Sequence, residues 1–179
     1  MKKMRLIAGL ALIGVAVCAC PEHAFGQSAF ARVSGKDFDS AVPRDFYLEG
    51  NAIPTEKRNA VLLKSPAGAR LLFALIDTTG YSSQIKKKYI GMVIPEGAVS
   101  VCGVQLGVGS YGFGLDRPAP NSSEDARFFL YNQAGEKVGD CAAVRDAQIK
   151  LPRPLQVVLS KGEPARLYLG RYWVELAAR

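Results

Sequence analysis

The chain predicts an all-β fold: a single antiparallel β-sandwich of about 8–10 strands, with a small β-barrel as the alternative closure. Three observations point there. Short runs rich in Val, Ile, Leu, Tyr and Phe recur from residue 46 to residue 176, and Gly- or Pro-bearing turn signals stand between them. Beyond the N-terminal stretch, no segment of helical length keeps an apolar 3.6-residue period.

Residues 27–45 are polar and read as an irregular lead-in to a domain over 46–179. Strands are expected at Phe46–Glu49, Ala60–Lys64, Ala69–Ile76, Tyr89–Ile94, Ala98–Val108 and Tyr111–Leu115. Four more follow at Arg127–Asn132, Lys137–Val144, Leu155–Leu159 and Arg166–Leu176. Ser65-Pro-Ala-Gly68, Thr79-Gly80, Pro95-Glu-Gly97, Gln133-Ala-Gly135 and Lys161-Gly-Glu-Pro164 supply the turns, because Gly takes positive φ and Pro presets a turn's φ. Val61–Leu72 and Val157–Tyr168 share the order strand, Pro/Gly turn, Ala-Arg-Leu, strand, as two related hairpins would.

The first 26 residues carry a different signal. Lys2, Lys3 and Arg5 precede an apolar stretch from Leu6 to Ala19, and Ala24-Phe25-Gly26 puts small residues before a cut at Gln27. That is the pattern of a cleaved secretory signal peptide, and its apolar part is shorter than the roughly 20 residues a spanning helix needs. The competing reading is a lipoprotein signal acting through Cys20. Either implies an exported protein, periplasmic or secreted, with no transmembrane span.

Export narrows the chemistry. The only histidine, His23, falls within the signal, as do Cys18 and Cys20. A mature chain from Gln27 has no imidazole for a triad, a zinc site or a proton shuttle. It retains 20 basic and 15 acidic side chains, a net charge of +5 over 153 residues, which favours attraction to anionic polymers or surfaces. Cys102 and Cys141, each in an apolar segment, are expected to form one disulfide in an oxidising compartment. Closing that loop contributes about 3–4 kcal/mol on a chain-entropy basis.

Motifs for cofactors are absent. Gly107-Val-Gly-Ser-Tyr-Gly112 matches G-x-G-x-x-G, but Pro118 and Pro120 follow where a dinucleotide fold needs a helix, so the glycines read as a close-packed strand pair. No cofactor and no metal are expected. Candidate carboxylates for a hydrolase, Asp77, Asp116, Glu124 and Asp125, lie in expected loops at no diagnostic spacing.

The best binding candidate is the loop holding Asp77, Thr78, Tyr81, the basic run Lys86-Lys87-Lys88, and Tyr89, where cations and aromatic faces stand together. The second is Arg171 with Trp173: strict alternation along one final strand places Arg171, Trp173 and Glu175 on a common face. The resulting expectation is an exported, non-enzymatic binding or envelope-associated module. Its partner would be an anionic polysaccharide or another protein, not nucleic acid. The alternatives are a carboxylate-dependent hydrolase of extracellular or cell-wall glycan, and a structural subunit docking by β-strand addition.

Overall fold

A computed structural model describes residues 30–119 and 122–178. The expected signal segment, 1–26, lies outside the described residues. In chain order the elements begin with β1 (Ala31–Val33), α1 (Lys36–Ala41), β2 (Asp45–Leu48), β3 (Asn51–Lys64) and β4 (Arg70–Ile76). Next come α2 (Ser83–Lys88), β5 (Gly91–Pro95), β6 (Val99–Val101), β7 (Val104–Leu106) and β8 (Tyr111–Asp116). The chain closes with β9 (Ala126–Tyr131), β10 (Lys137–Arg145), β11 (Gln156–Val158), β12 (Ala165–Leu169) and β13 (Tyr172–Ala178).

The fold is all-β and antiparallel, a curled sheet with one disulfide. Strands run β1-β3-β4-β5-β8-β9-β10-β13-β12-β11, with β2 on β3 and the β6–β7 hairpin on the far half of β13. The hand-over from β10 to β13 rests on two pairs, Val144 opposite Trp173 and Arg145 opposite Tyr172. The sheet curls far enough for its end strands to meet, where Arg32 of β1 donates to the Val157 carbonyl of β11 at 2.7 Å.

Apolar side chains fill two cores. The larger lies inside the curl and includes Leu63, Phe73, Phe113, Phe128, Leu167 and Val174. The smaller lies on the opposite face of β3–β5, where Leu62, Leu72 and Met92 meet Phe46 and Leu48 of β2 and Ile85 of α2. Both faces of β4 are therefore buried. This is why Leu71-Leu-Phe-Ala-Leu-Ile76 reads as a continuous apolar run rather than an alternation.

Several boundaries differ from expectation. The segment read as an irregular lead-in carries β1 and α1. The expected strand Ala98–Val108 is two strands, because Cys102 (φ 56°) and Gly103 (φ 76°) form a two-residue turn between Val101 and Val104. Both residues at positive φ give the type I′ geometry that suits tight hairpins. The expected strand Arg166–Leu176 also folds back, at Gly170 (φ 69°) and Arg171, with Leu169 opposite Tyr172. An apolar run conceals such turns, since each spends only two residues. The two segments that resemble each other, Val61–Leu72 and Val157–Tyr168, both form antiparallel hairpins. Cys102 and Cys141 are bonded, with Cα atoms 6.2 Å apart, joining the β6–β7 turn to β10.

A basic groove beside α2

The expected loop around the lysine run contains α2. Ser82 caps it, its Oγ accepting from the Ile85 amide at 3.3 Å, which satisfies one of the donors a helix start leaves open. Successive helical residues are rotated by about 100°, and residues three apart share a face. Ile85 is buried, so Lys88 is turned inward with it, while Lys86 and Lys87 are exposed. The three lysines thus have different fates.

Lys88 acts as a latch. Its Nζ donates to Glu49 Oε1 at 2.5 Å and to the Gly135 carbonyl at 2.6 Å, and stands 5.1 and 4.9 Å from the ring centroids of Tyr89 and Tyr131. The Tyr89 hydroxyl donates to the same Glu49 oxygen at 2.5 Å. Glu49 (φ 49°) and Gly50 (φ 75°) form the turn between β2 and β3. Its conformation is uncommon for Glu and is held by the contacts of its carboxylate and by its amide, which donates to the Gln133 carbonyl at 2.8 Å. The Lys88 hydrogen bond, followed by that of Tyr89, holds the Glu49 carboxyl below its ordinary range. Burial, then the bond to Glu49, pushes the Tyr89 phenol up. The latch joins the β2–β3 turn, α2 and the β9–β10 turn.

Two glycines make this approach possible. A Cβ on Gly114 would overlap the Lys88 carbonyl oxygen, and one on Gly135 would overlap the Glu49 carboxylate. Of the three glycines that mimic a nucleotide motif, Gly112 alone is closely packed, against the Tyr89 ring, whereas a Cβ on Gly107 would meet nothing and one on Gly109 only Tyr111.

Between α2 and the outer face of β8 and β9 lies a groove of about 450 Å³, lined by Lys87, Lys88, Leu115, Asp116, Phe129 and Tyr131. Phe129 and Tyr131 are half-buried neighbours on β9, with centroids 6.3 Å apart and planes within 26° of parallel. Lys137 stands 5.9 Å from the Phe129 centroid, and both it and Arg127 pair with Asp140. The side chains of Lys86 and Lys87 make no hydrogen bond or ion pair among the described residues, so their charges remain available.

The other candidates are dispersed. Asp77 closes its own turn, its Oδ1 accepting from the Thr79 amide at 2.9 Å, and hydrogen bonding by Thr79, from its side chain first and then its amide, holds the carboxyl below the ordinary range. The Thr78 carbonyl accepts from the Tyr81 amide, and the Tyr81 hydroxyl donates to the Ala52 carbonyl. Tyr89 is fully buried and offers no stacking face. None of Asp77, Thr78, Tyr81 or Tyr89 lines the groove.

Arg171 and Trp173 are not on one face of one strand. Arg171 sits in the hairpin turn and donates to the Ile149 and Lys150 carbonyls, holding the segment 146–154. Trp173 is half-buried opposite Tyr168, with the Arg166 guanidinium 4.5 Å from its ring centroid. Beside it a second groove, about 330 Å³, runs past Ser100, Cys102, Ala142, Val144 and Glu175. Among the described residues the only ionisable lining group there is the carboxylate of Glu175, which disfavours an anion.

Phe129 and Tyr131 complete the groove without any local signal in the sequence, and Asp116, which stands out there only as a loop carboxylate, joins them. They reach it through register, Gly114 opposite Phe129 and Gly112 opposite Tyr131. No helix among the described residues is long and apolar enough to cross a membrane. No protein-family model, curated protein or solved structure matches the chain.

Proposed function

We propose that the protein is an exported, non-enzymatic binding module whose contact site is the groove between α2 and β9. One observation carries this reading: Lys87, whose side chain has no partner among the described residues, lines a depression walled by Phe129 and Tyr131, and the equally unpartnered Lys86 is exposed next to it on α2. Cations left unpaired beside partly exposed rings are available to an anionic partner and do little for folding. The partner class is an anionic polymer of the cell envelope or its surroundings. Export rests on the N-terminal pattern ending at Ala24-Phe25-Gly26. We read the curl as a sandwich, one layer from β1, β3–β5 and β8–β10 and the other from β6, β7 and β11–β13. The two-pair hand-over at β10 and the single core between the layers support that division.

The test is thermal unfolding of the oxidised chain from Gln27 with envelope polysaccharides, lipopolysaccharide and neutral polymers. A ligand at 100 times its Kd stabilises by about 2.7 kcal/mol, a shift of several degrees for a domain of this size. We expect a shift with an anionic polymer that disappears in Lys86→Ala/Lys87→Ala. No shift across the panel overturns the anion-binding reading and leaves a protein partner, sought by crosslinking in intact cells.

A further inference from the structure

Asp116 sets the groove apart from a simple anion trap. It is exposed at the end of β8, lines the groove with Lys87 and Lys88, and makes no hydrogen bond or ion pair among the described residues. Its cross-strand neighbour Arg127 pairs instead with Asp140. The Tyr131 hydroxyl, raised in pKa by burial, also has no hydrogen-bond partner among the described residues. Three unpartnered polar groups therefore surround apolar surface from Phe129: an ammonium, a carboxylate and a hydroxyl.

These groups make opposed demands. An ammonium attracts any anion, but an unpaired carboxylate in the same groove repels a ligand that carries charge alone. A carboxylate accepts only, so it rewards a ligand with hydroxyl donors, and bonds of this charge-assisted kind are the strong ones. The apolar surface suits the C–H face of a ring. We infer that the ligand is an acidic glycan, a polymer of sugars bearing carboxylates, rather than a bare polyanion. In it the sugar carboxylate meets Lys87, a ring hydroxyl donates to Asp116, and the ring lies against Phe129. This inference rests on the groove being the binding site, and it adds Asp116 as the specificity-determining residue.

The experiment measures binding of three polymers to the oxidised chain by calorimetry: polygalacturonate, polyphosphate and neutral dextran. The variants are Lys87→Ala and Asp116→Asn, the latter of nearly equal shape at an exposed position without a partner. Polygalacturonate is expected to bind best and to lose about tenfold or more in each variant, as the loss of a hydrogen bond to a charged group implies. Polyphosphate is expected to bind wild type weakly and to bind Asp116→Asn more tightly. Equal binding of polyphosphate and polygalacturonate, with Asp116→Asn neutral for both, overturns the glycan inference and leaves the anion-binding groove in place. Binding of none of the three removes both.

Discussion

Two aromatic pairs sit on the outside of the curled sheet, and they differ in what surrounds them. The hydroxyl and cations around Tyr168 and Trp173 are committed to the fold, and the charge left over there is the exposed carboxylate of Glu175. The Tyr168 hydroxyl donates to Asp146 at 3.1 Å, Arg166 covers Trp173, and Arg171 holds the 146–154 segment in place. Phe129 and Tyr131 are flanked by the committed Lys137 and Lys88 and share their groove with the unpartnered Lys87. Each region also has its own fastener, a disulfide beside Trp173 and a charged latch beside Tyr131. The lesson is that an aromatic residue near a cation does not mark a site by itself. What marks an anion site is cationic capacity left over after the fold has been satisfied.

The covalent fastener should be the stronger. Cys102→Ser/Cys141→Ser is expected to lose about 3–4 kcal/mol, from the 39-residue separation it closes, read as the shift in urea midpoint. Trp173 is the only tryptophan and lies beside the bond, so its emission reports the same region. A red shift before the main transition is expected when the β6–β7 turn is released from β10. Unchanged stability would mean that strand pairing alone holds this side.

The ionic fastener should be weaker and should depend on pH. Removing Lys88 leaves Glu49 partly buried without its cation, and Lys88→Met is expected to cost about 1–3 kcal/mol at pH 7. Because the folded carboxyl is depressed below its ordinary 4.5, its stabilisation is fully present above that value. It is lost as pH falls through the lowered folded value. The cost of Lys88→Met should therefore shrink between pH 7 and about pH 3, in urea midpoints taken at each. A cost independent of pH would show that Lys88 acts by packing against Tyr89 and Tyr131.

Much of this contrast was legible in the residues, and what was not has physical causes. Strand-forming runs and Gly/Pro turns gave the all-β class, and the lysine run falls on α2, which borders the groove. The helix escaped because six residues, Ser83–Lys88, are too few to display a period. The paired turns at Cys102-Gly103 and Gly170-Arg171 escaped because apolar residues continue on both sides of them. Reading Arg166–Leu176 as one strand placed Arg171 beside Trp173, and a single turn separated their roles. Half of the groove was beyond reach for a different reason. Asp116, Phe129 and Tyr131 lie 28 to 44 residues from Lys87 and Lys88, and only pairing register brings them together.

The committed side of the comparison can be probed through Arg171. Its contacts to the Ile149 and Lys150 carbonyls hold a segment whose Leu151 is 89% exposed. Arg171→Ala is expected to cost about 1 kcal/mol overall, as loss of a side-chain to backbone bond does. Its clearer signature is local. Trypsin should cut after Lys150 faster than in wild type, because cleavage requires that segment to leave the surface. Unchanged cleavage would return Arg171 to the set of groups available for binding.

The smallest effect on folding is the one that separates the two regions most sharply. Lys86→Ala/Lys87→Ala removes exposed charges that the fold does not use, so the unfolding midpoint should move by less than about 0.5 kcal/mol. A slight gain is reasonable, since two like charges on adjacent helical residues repel and the mature chain is already basic. Binding of an anionic polymer should nevertheless fall sharply, and its dependence on salt should flatten as attraction over a Debye length is lost. If stability fell as far as in Lys88→Met, Lys86 and Lys87 would belong to the latch, and the groove would resemble the Trp173 region in having no cation to spare.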